Sequence, residues 1–443
     1  MTYHSKKLIF EDKLIFGVLG ASLVMNLGFS MLRFPSSLPL TESVLMLCLI
    51  GYVFRTSVGR LWLKSPLFIF VVFWWLFAGI TIFNAYPTWG VFSFRSATHV
   101  VEIAFLLPGI FMGSSYNKRK IFFAFFGTCL LLGNIHILLS PFSDYLRPYS
   151  PSVISLVGET TYLLFNFNDI NSAIHFPLLP ASYLAWLIFT KKSIRKWDLK
   201  LFICILAIGF TLAKGQARTN YLIYPILFIM VFLFDRKHIR IILGIFCIAV
   251  FFLIIVSIGG IQIQGRIGTF NIEFLYRHFL AAFGMVDDHA IQSIAGAAEE
   301  SIAGAAEGVN QRLSWWDAII RQLFNDPTSL LFGLGQGVPL TTLFLSDGTP
   351  VREPHNSVMS IFGRYGLLGL GVFIWMHLVM ITKLLRNMRF FRNTSAYSEY
   401  LFLIFFLLAT FIITMVEDAL EKPYCAVWYY FVWGMAITRS QHQ

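Results

Sequence analysis

Five basic side chains and one histidine stand out by type and spacing. Lys214-Gly-Gln-Ala-Arg218-Thr-Asn220 puts two cations at the edge of an apolar stretch, and Arg266 stands alone further along. Arg312 heads the segment QRLSWWDAIIRQLF, with Trp316 four residues on. Arg352-Glu353-Pro354-His355-Asn356 leads into another apolar stretch, and Gly363-Arg364-Tyr365-Gly366 follows it. An arginine fork matches phosphate oxygens, so such cations suit an anion site; side chains snorkelling to a membrane interface explain them equally well. Histidine titrates where proton transfer at neutral pH needs it, although a lone histidine at a helix start is more often structural. Gly333-Leu-Gly335-Gln-Gly337 would bring backbone N–H groups near a phosphate, or simply turn the chain.

The elements that must position these residues follow from composition. Of 443 residues, 57% are hydrophobic, only 13% are charged, and mean hydropathy is +0.70. Soluble domains run at roughly 45–50% apolar and about 25% charged. A soluble enzyme, a disordered chain and a DNA-binding protein are therefore excluded in favour of a polytopic membrane protein. Spanning helices need about 20 apolar residues. Twelve such stretches are read, at about 14–32, 38–54, 66–84, 98–113, 121–140, 171–190, 199–213, 219–234, 238–257, 355–382, 399–416 and 422–438. The seventh and eighth also read as one broken element. No charged leader with a small-residue cleavage site precedes the first, so no removable signal peptide is expected.

The net charge of +11 is a topology signal rather than a nucleic-acid signal. Counted by loop, 22 of the 34 Lys and Arg residues fall in even-numbered loops and the N- and C-terminal segments, and every even-numbered loop holds at least three. The short odd-numbered loops hold no more than two each. Both ends of the chain are thus expected in the cytoplasm. Lys214, Arg218, Arg266, Arg312 and Arg352 belong to the remaining 12 cations, on the external side. The expected organisation is spans one to nine over 1–257, a large external loop over 258–354, and spans ten to twelve over 355–443.

That loop is long enough to hold helices of its own. Residues 311–324 place Leu313, Trp316, Ile320, Leu323 and Phe324 on one helical face, and Asn325-Asp326-Pro327 ends the helix. The tandem octapeptides SIAGAAEE (293–300) and SIAGAAEG (301–308) read as a local duplication in a tolerant surface segment. The five cysteines fall in or beside spans, so no structural disulfide is expected, and no Cys/His spacing suggests a metal. Glu159 and Asp169 sit in the other long external segment, as groove-lining groups or plain solvated polarity. Glu102 is the one acid well inside a span, a functional candidate or a packing partner.

His355-Asn356, nine residues, Gly366, two residues and Gly369 match a signature of the O-antigen ligase and polymerase superfamily of bacterial membrane glycosyltransferases. Arg312-x-x-x-Trp316, Asp326-Pro327 and Gly333-x-Gly335-x-Gly337 resemble the loop pattern of the same family. Gln216-Ala-Arg218 sits where members carry a small-residue segment ending in arginine, with Gln and Ala as departures. Asn168-Asp-Ile-Asn171 resembles an asparagine element before span six. The resemblance covers roughly 200–385 in detail, and over the rest of the chain the span count, orientation and late external loop.

The resemblance implies an all-α, GT-C-like bundle of about twelve spans in the bacterial inner membrane, with its active site facing the periplasm. It implies transfer of a glycan from an undecaprenyl (polyprenyl) diphosphate carrier to an acceptor hydroxyl, by direct inverting displacement. The acceptor is lipid A–core in ligases and another lipid-linked glycan in O-antigen or exopolysaccharide polymerases. No cofactor is expected. No Asp-x-Asp occurs, and Asp287-Asp288 flank the duplication, so a metal-independent mechanism is expected. Arginines would then stabilise the departing diphosphate. Arg218 and Arg312 are the first choices, with Arg266, Arg352 and Lys214 behind them. His355 would take or orient the acceptor hydroxyl's proton, and Asn356 and Trp316 would contact substrate.

Two readings compete. A twelve-span transporter of the major-facilitator type usually carries its long loop in the cytoplasm between spans six and seven; here 191–198 is short, and no repeat relates the two halves. A non-catalytic membrane component leaves the histidine and arginines unexplained.

Overall fold

The computed structural model describes residues 8–25, 27–30, 32, 40–54, 65–154, 160–165, 169–190, 198–215, 218–258, 263–264, 269–270, 297–341 and 352–438. The fold is all-α. Thirteen helices organise it: α1 Phe10–Met25, α2 Leu40–Phe54, α3 Pro66–Trp89, α4 Tyr116–Leu138, α5 Asp169–Thr190, α6 Leu199–Phe210, α7 Arg218–Phe234, α8 Ile239–Ile258, α9 Ala297–Phe324, α10 Pro327–Phe332, α11 Ser357–Phe391, α12 Ala396–Thr414 and α13 Pro423–Ala436. A broken helical segment, Thr98–Gly113, lies between α3 and α4. In each of the twelve apolar stretches most of the described residues are helical. Four helices among the described residues, α3, α4, α11 and α12, are long and apolar enough to cross a membrane. On α3, Leu67, Val71, Trp74 and Ala78 face inward, while Ile69, Leu76, Ile80 and Phe83 are exposed. So much large apolar surface suits lipid and not water.

The chain divides into two compact units, one of residues 1–167 and 318–443, the other of residues 168–317. In the first, an aromatic stack fills the centre. Phe126 lies 4.3 Å from Trp428 and 5.1 Å from Phe406, and the Trp428 indole donates to the Leu19 carbonyl at 2.9 Å. The broken segment presses against α13 at Gly109 and Gly434, where a Cβ would come within 2.2 Å of the Phe431 and Leu106 carbonyl oxygens respectively. Small residues permit such close backbone approach between membrane helices. A short hairpin, β1 Ser152–Ile154 with β2 Thr160–Tyr162, completes this unit.

The second unit holds α5 to α8. α6 and α7 are two helices joined through a π-turn, Thr211–Gly215. Buried Asn220 on α7 donates to the Thr211 carbonyl at 3.3 Å and ties the two together. A two-residue hairpin, β3 Ile263–Gln264 with β4 Thr269–Phe270, lies here as well.

α9 is longer than the helix expected at 311–324, and it includes part of the octapeptide duplication. Among its residues 311–324, Trp315, Ile319 and Leu323 are buried, at i, i+4 and i+8, whereas Leu313, Ile320 and Phe324 are exposed. The expected face was therefore rotated by about one residue. Ile319 and Leu323 pack on Leu340, with Leu330, Leu334, Met359 and Phe362 around them, and that cluster selects the buried stripe. Asp326 does close the segment: it caps α10 by accepting from the Thr328 and Ser329 amides at 3.3 and 2.8 Å.

Candidate functional site

The site in the first unit is built on the start of α11 and the turn between α12 and α13. Asn356 caps α11, its side-chain oxygen accepting from the Val358 and Met359 amides at 2.9 and 3.0 Å. Its amide nitrogen donates to the Met415 carbonyl at 2.9 Å, at the end of α12. The next residue repeats the link. Ser357 Oγ donates to Glu421 Oε2 at 2.8 Å and accepts from the Leu420 amide at 3.1 Å. The strap Arg352–Asn356 and the turn 415–422 are thereby fastened together. Asn356 is buried and committed to this work, which is a holding role.

His355 sits in the strap with φ +50, a conformation non-glycine residues adopt at a cost of order 1–3 kcal/mol, so its surroundings must hold it there. Its Nδ1 lies 2.9 Å from Asp418 Oδ1 and 3.3 Å from Glu417 Oε2. Lys422 Nζ approaches Asp418 Oδ2 at 3.1 Å. Burial alone would depress the imidazolium, but hydrogen bonding to Asp418 and Glu417, and their charge, outweigh it and hold His355 up at about 9. Asp418 is the converse case. Burial pushes its carboxyl up, and Lys422 with His355 overcomes this and holds it below the usual range. Burial first, then the charges of Glu353 and Asp418, push Glu421 up to about 7. The donor atoms of His355, Glu417 and Asp418 all lie within 4.8 Å of one another, close enough to share a cation. Lys422 also compensates Asp418, so the three groups belong to an ion-pair network with it.

The glycines of the signature have a packing role. Gly366 interrupts α11 with φ +64 and ψ −161, and a Cβ there would lie 2.5–2.6 Å from the Leu331 and Gly333 backbone. Gly333, at φ +86, meets the Arg364 carbonyl at 2.3 Å in the same way. Only glycine permits two chains to pass so close in these conformations. The run Gly333-Leu-Gly335-Gln-Gly337 is therefore a docking turn. Its amides are taken: Gly333 by Ser329, Leu334 by Gly363, Gly335 by Arg364 and Gly337 by the Ser96 hydroxyl. It offers no cradle for a phosphate through those four groups.

Arg364 is buried, donating to Glu353 Oε1 at 2.6 Å and to the Val338 carbonyl at 3.2 Å. Arg352 is half-buried, donating to the Gly337 carbonyl at 2.6 Å with its guanidinium 3.8 Å over the Phe92 ring. The structure thus brings together Arg352, His355 and Asn356 among the expected residues. Lys214, Arg218, Arg312 and Trp316 belong to the second unit. There Lys214 is exposed on the π-turn, Arg218 opens α7, and Arg312 and Trp316 are half-buried on α9. Arg266 and Glu159 lie outside the described residues, Asp169 opens α5, and Asn171 lies in its first turn. Glu102 is fully buried with neither carboxylate oxygen hydrogen-bonded.

Sequence reasoning missed Glu417, Asp418, Glu421 and Lys422. A signal was present: Met-Val-Glu417-Asp418-Ala-Leu-Glu421-Lys422 puts four charges into six residues between two strongly apolar stretches.

Comparison with known families now bears on this geometry. Residues 201–374 match a family model described as O-antigen ligase. This stretch of the chain is similar to an O-antigen ligase domain. The domain runs from α6 to the middle of α11 and contains Arg218, Arg312, His355, Gly366 and Gly369. The acidic turn at 415–422 lies beyond it. No curated protein matches the chain. The O-antigen ligase match together with the long apolar helices indicates a membrane protein of a glycan-joining class.

Proposed function

We propose that the protein is a metal-independent membrane glycosyltransferase. It moves a glycan en bloc from an undecaprenyl diphosphate carrier to an acceptor hydroxyl on the periplasmic face of the inner membrane. The acceptor is lipid A–core or a second lipid-linked glycan, making it an O-antigen ligase or an O-antigen or exopolysaccharide polymerase. Twelve spans with both chain ends in the cytoplasm put α11's start and the long loop on that face. The observation that carries the reading is His355, strained and braced by two carboxylates, at the head of α11 inside an O-antigen ligase domain.

The reaction breaks the bond between the sugar's anomeric carbon and the diphosphate oxygen, and charge develops on that oxygen. Arg218 and Arg312 stabilise it, with Lys214, Arg266 and Arg352 contributing positive field. His355 acts as a cation. Its Nδ1 is held by Asp418 and Glu417, and its other nitrogen donates to a substrate oxygen that is gaining charge. Held protonated to about pH 9, it orients oxygens rather than taking a proton at neutral pH, the second of the two roles that the sequence offers. Trp316 supplies an aromatic face for the glycan. The test is deletion in the native organism with gel analysis of surface glycans, complemented by wild type or His355→Ala. Wild type restoring long chains while His355→Ala does not is the expected result; full restoration by the variant contradicts the assignment. Long chains missing from lipid A–core while lipid-linked polymer accumulates identifies a ligase, and single-repeat capping identifies a polymerase.

A further inference from the structure

If His355 stays charged, another group must take the proton of the acceptor hydroxyl. Four carboxylates surround the strap and turn: Glu353, Glu417, Asp418 and Glu421. Three of them form ion pairs. Glu353 pairs with Arg364 at 2.6 Å, Glu417 with His355 at 3.3 Å, and Asp418 with His355 and Lys422 at 2.9 and 3.1 Å. Glu421 differs. Its Oε2 accepts from the Ser357 hydroxyl, and its Oε1 is buried with no hydrogen-bond partner. In a low-dielectric site, the carboxylate least compensated by cations is the most basic.

We propose that Glu421 is the proton acceptor of the transfer reaction, an inference that rests on the function proposed above. The acceptor O–H bond breaks as its oxygen bonds to the anomeric carbon, and the carbon–oxygen bond to the diphosphate breaks, its electron pair leaving with the diphosphate. The proton passes through a bound water to recessed Oε1 and is later released to the external medium. The surroundings fit this task. Glu353, Asp418 and Lys422 face Glu421 from the strap and the turn, and Ser357 and Tyr365 from α11. Cys425 and Tyr430 lie within its electrostatic reach from α13. Two of these neighbours are acids and one is a cation. Burial first, and then this excess of acids, hold the carboxylate at about 7, where a base is both free and strong at neutral pH.

The experiment has two readouts on the full-length protein. The first is an infrared titration of the protonated-carboxyl band, in wild type, Glu421→Gln and Ser357→Ala. The second is transfer of lipid-linked glycan extracted from native membranes, followed from pH 5 to 10 in vesicles. Wild type is expected to show a carboxyl titrating near 7 and a transfer rate falling below that pH. Glu421→Gln loses the band, loses about 100-fold in rate at pH 8, and loses the acid limb. Ser357→Ala, which removes a hydrogen bond to the ionised form, moves band and limb to higher pH. An unchanged band or an unchanged acid limb in Glu421→Gln overturns the inference while leaving the function intact. If Glu421→Gln does not fold, an unmoved band in Ser357→Ala overturns it instead. Wild type without transfer at any pH overturns the function itself.

Discussion

α12 has a charge cluster at each end, and the two are built on different principles. At its start, Glu399 receives Arg119 at 2.7 Å, and beside Arg119 on α4, Lys118 meets Asp12 at 2.6 Å. Tyr52 completes the second pair, donating to Asp12 at 3.0 Å. Each cation has its own acid. At the other end, about 28 Å away along a 19-residue helix, Glu417 and Asp418 share one histidine, Lys422 shares Asp418, and Glu421 has only a hydroxyl. Matched pairs hold helices together. The mismatched set keeps one group charged and another basic, and it sits beside a strained residue. Perturbed groups gathered in this way mark chemistry.

The comparison can be broken most severely at His355. His355→Ala should lower transfer by about 100-fold or more per folded molecule, checked by surface-glycan gels normalised to protein level. Asp12→Asn should do the reverse. Breaking a buried pair costs about 3–5 kcal/mol, so folded yield and Tm fall while the pH profile of the surviving activity is unchanged. An altered profile there would erase the distinction between the two ends.

Gly366→Ala should destabilise the domain by about 1–3 kcal/mol, through positive φ and contact with the Leu331–Gly333 backbone. A thermal melt in detergent reads this directly. Asp418→Asn sharpens the contrast. It removes the first-named support of the imidazolium, so the alkaline limb of activity moves down from about 9. The same linkage acts on stability. A histidine whose pKa is raised on folding stabilises fully below its ordinary value near 6.5, and that contribution is lost as pH rises through about 9. The smallest expected effect is that of a chelator, which should change transfer less than twofold. A large, metal-reversible loss would turn the His355–Glu417–Asp418 cluster into a metal site.

How far the sequence reached depended on how local the signal was. Helix positions were legible because twenty apolar residues in a row admit few other structures, and α10's cap because Asp326-Pro327 is a local device. Gly366 and Gly369 were legible as a motif, but their reason was not. For Gly366 that reason is the approach of a chain segment more than thirty residues earlier, and for Gly369 the crowding of the Tyr365 side chain. The buried face of α9 was misjudged because Leu313, Trp316 and Ile320 satisfy helical periodicity as well as Trp315, Ile319 and Leu323 do. Leu340 and Phe362 decide between them. The glycine-rich run read as either a turn or a phosphate cradle, and the partners of its amides favour the turn. Glu417 to Lys422 were overlooked because His355 meets them more than sixty residues along the chain.

The most direct test of the account is the pH dependence of glycan transfer between pH 7 and 10, in wild type and in His355→Gln. If His355 works as a cation braced by Asp418 and Glu417, the wild-type rate levels off above the acid limb near pH 7, then falls near pH 9 with the loss of one proton, and the variant is slow and lacks that alkaline fall. A wild-type rate that climbs steadily through pH 9 would mean that neutral imidazole is the working form, and would contradict the role assigned to the cluster.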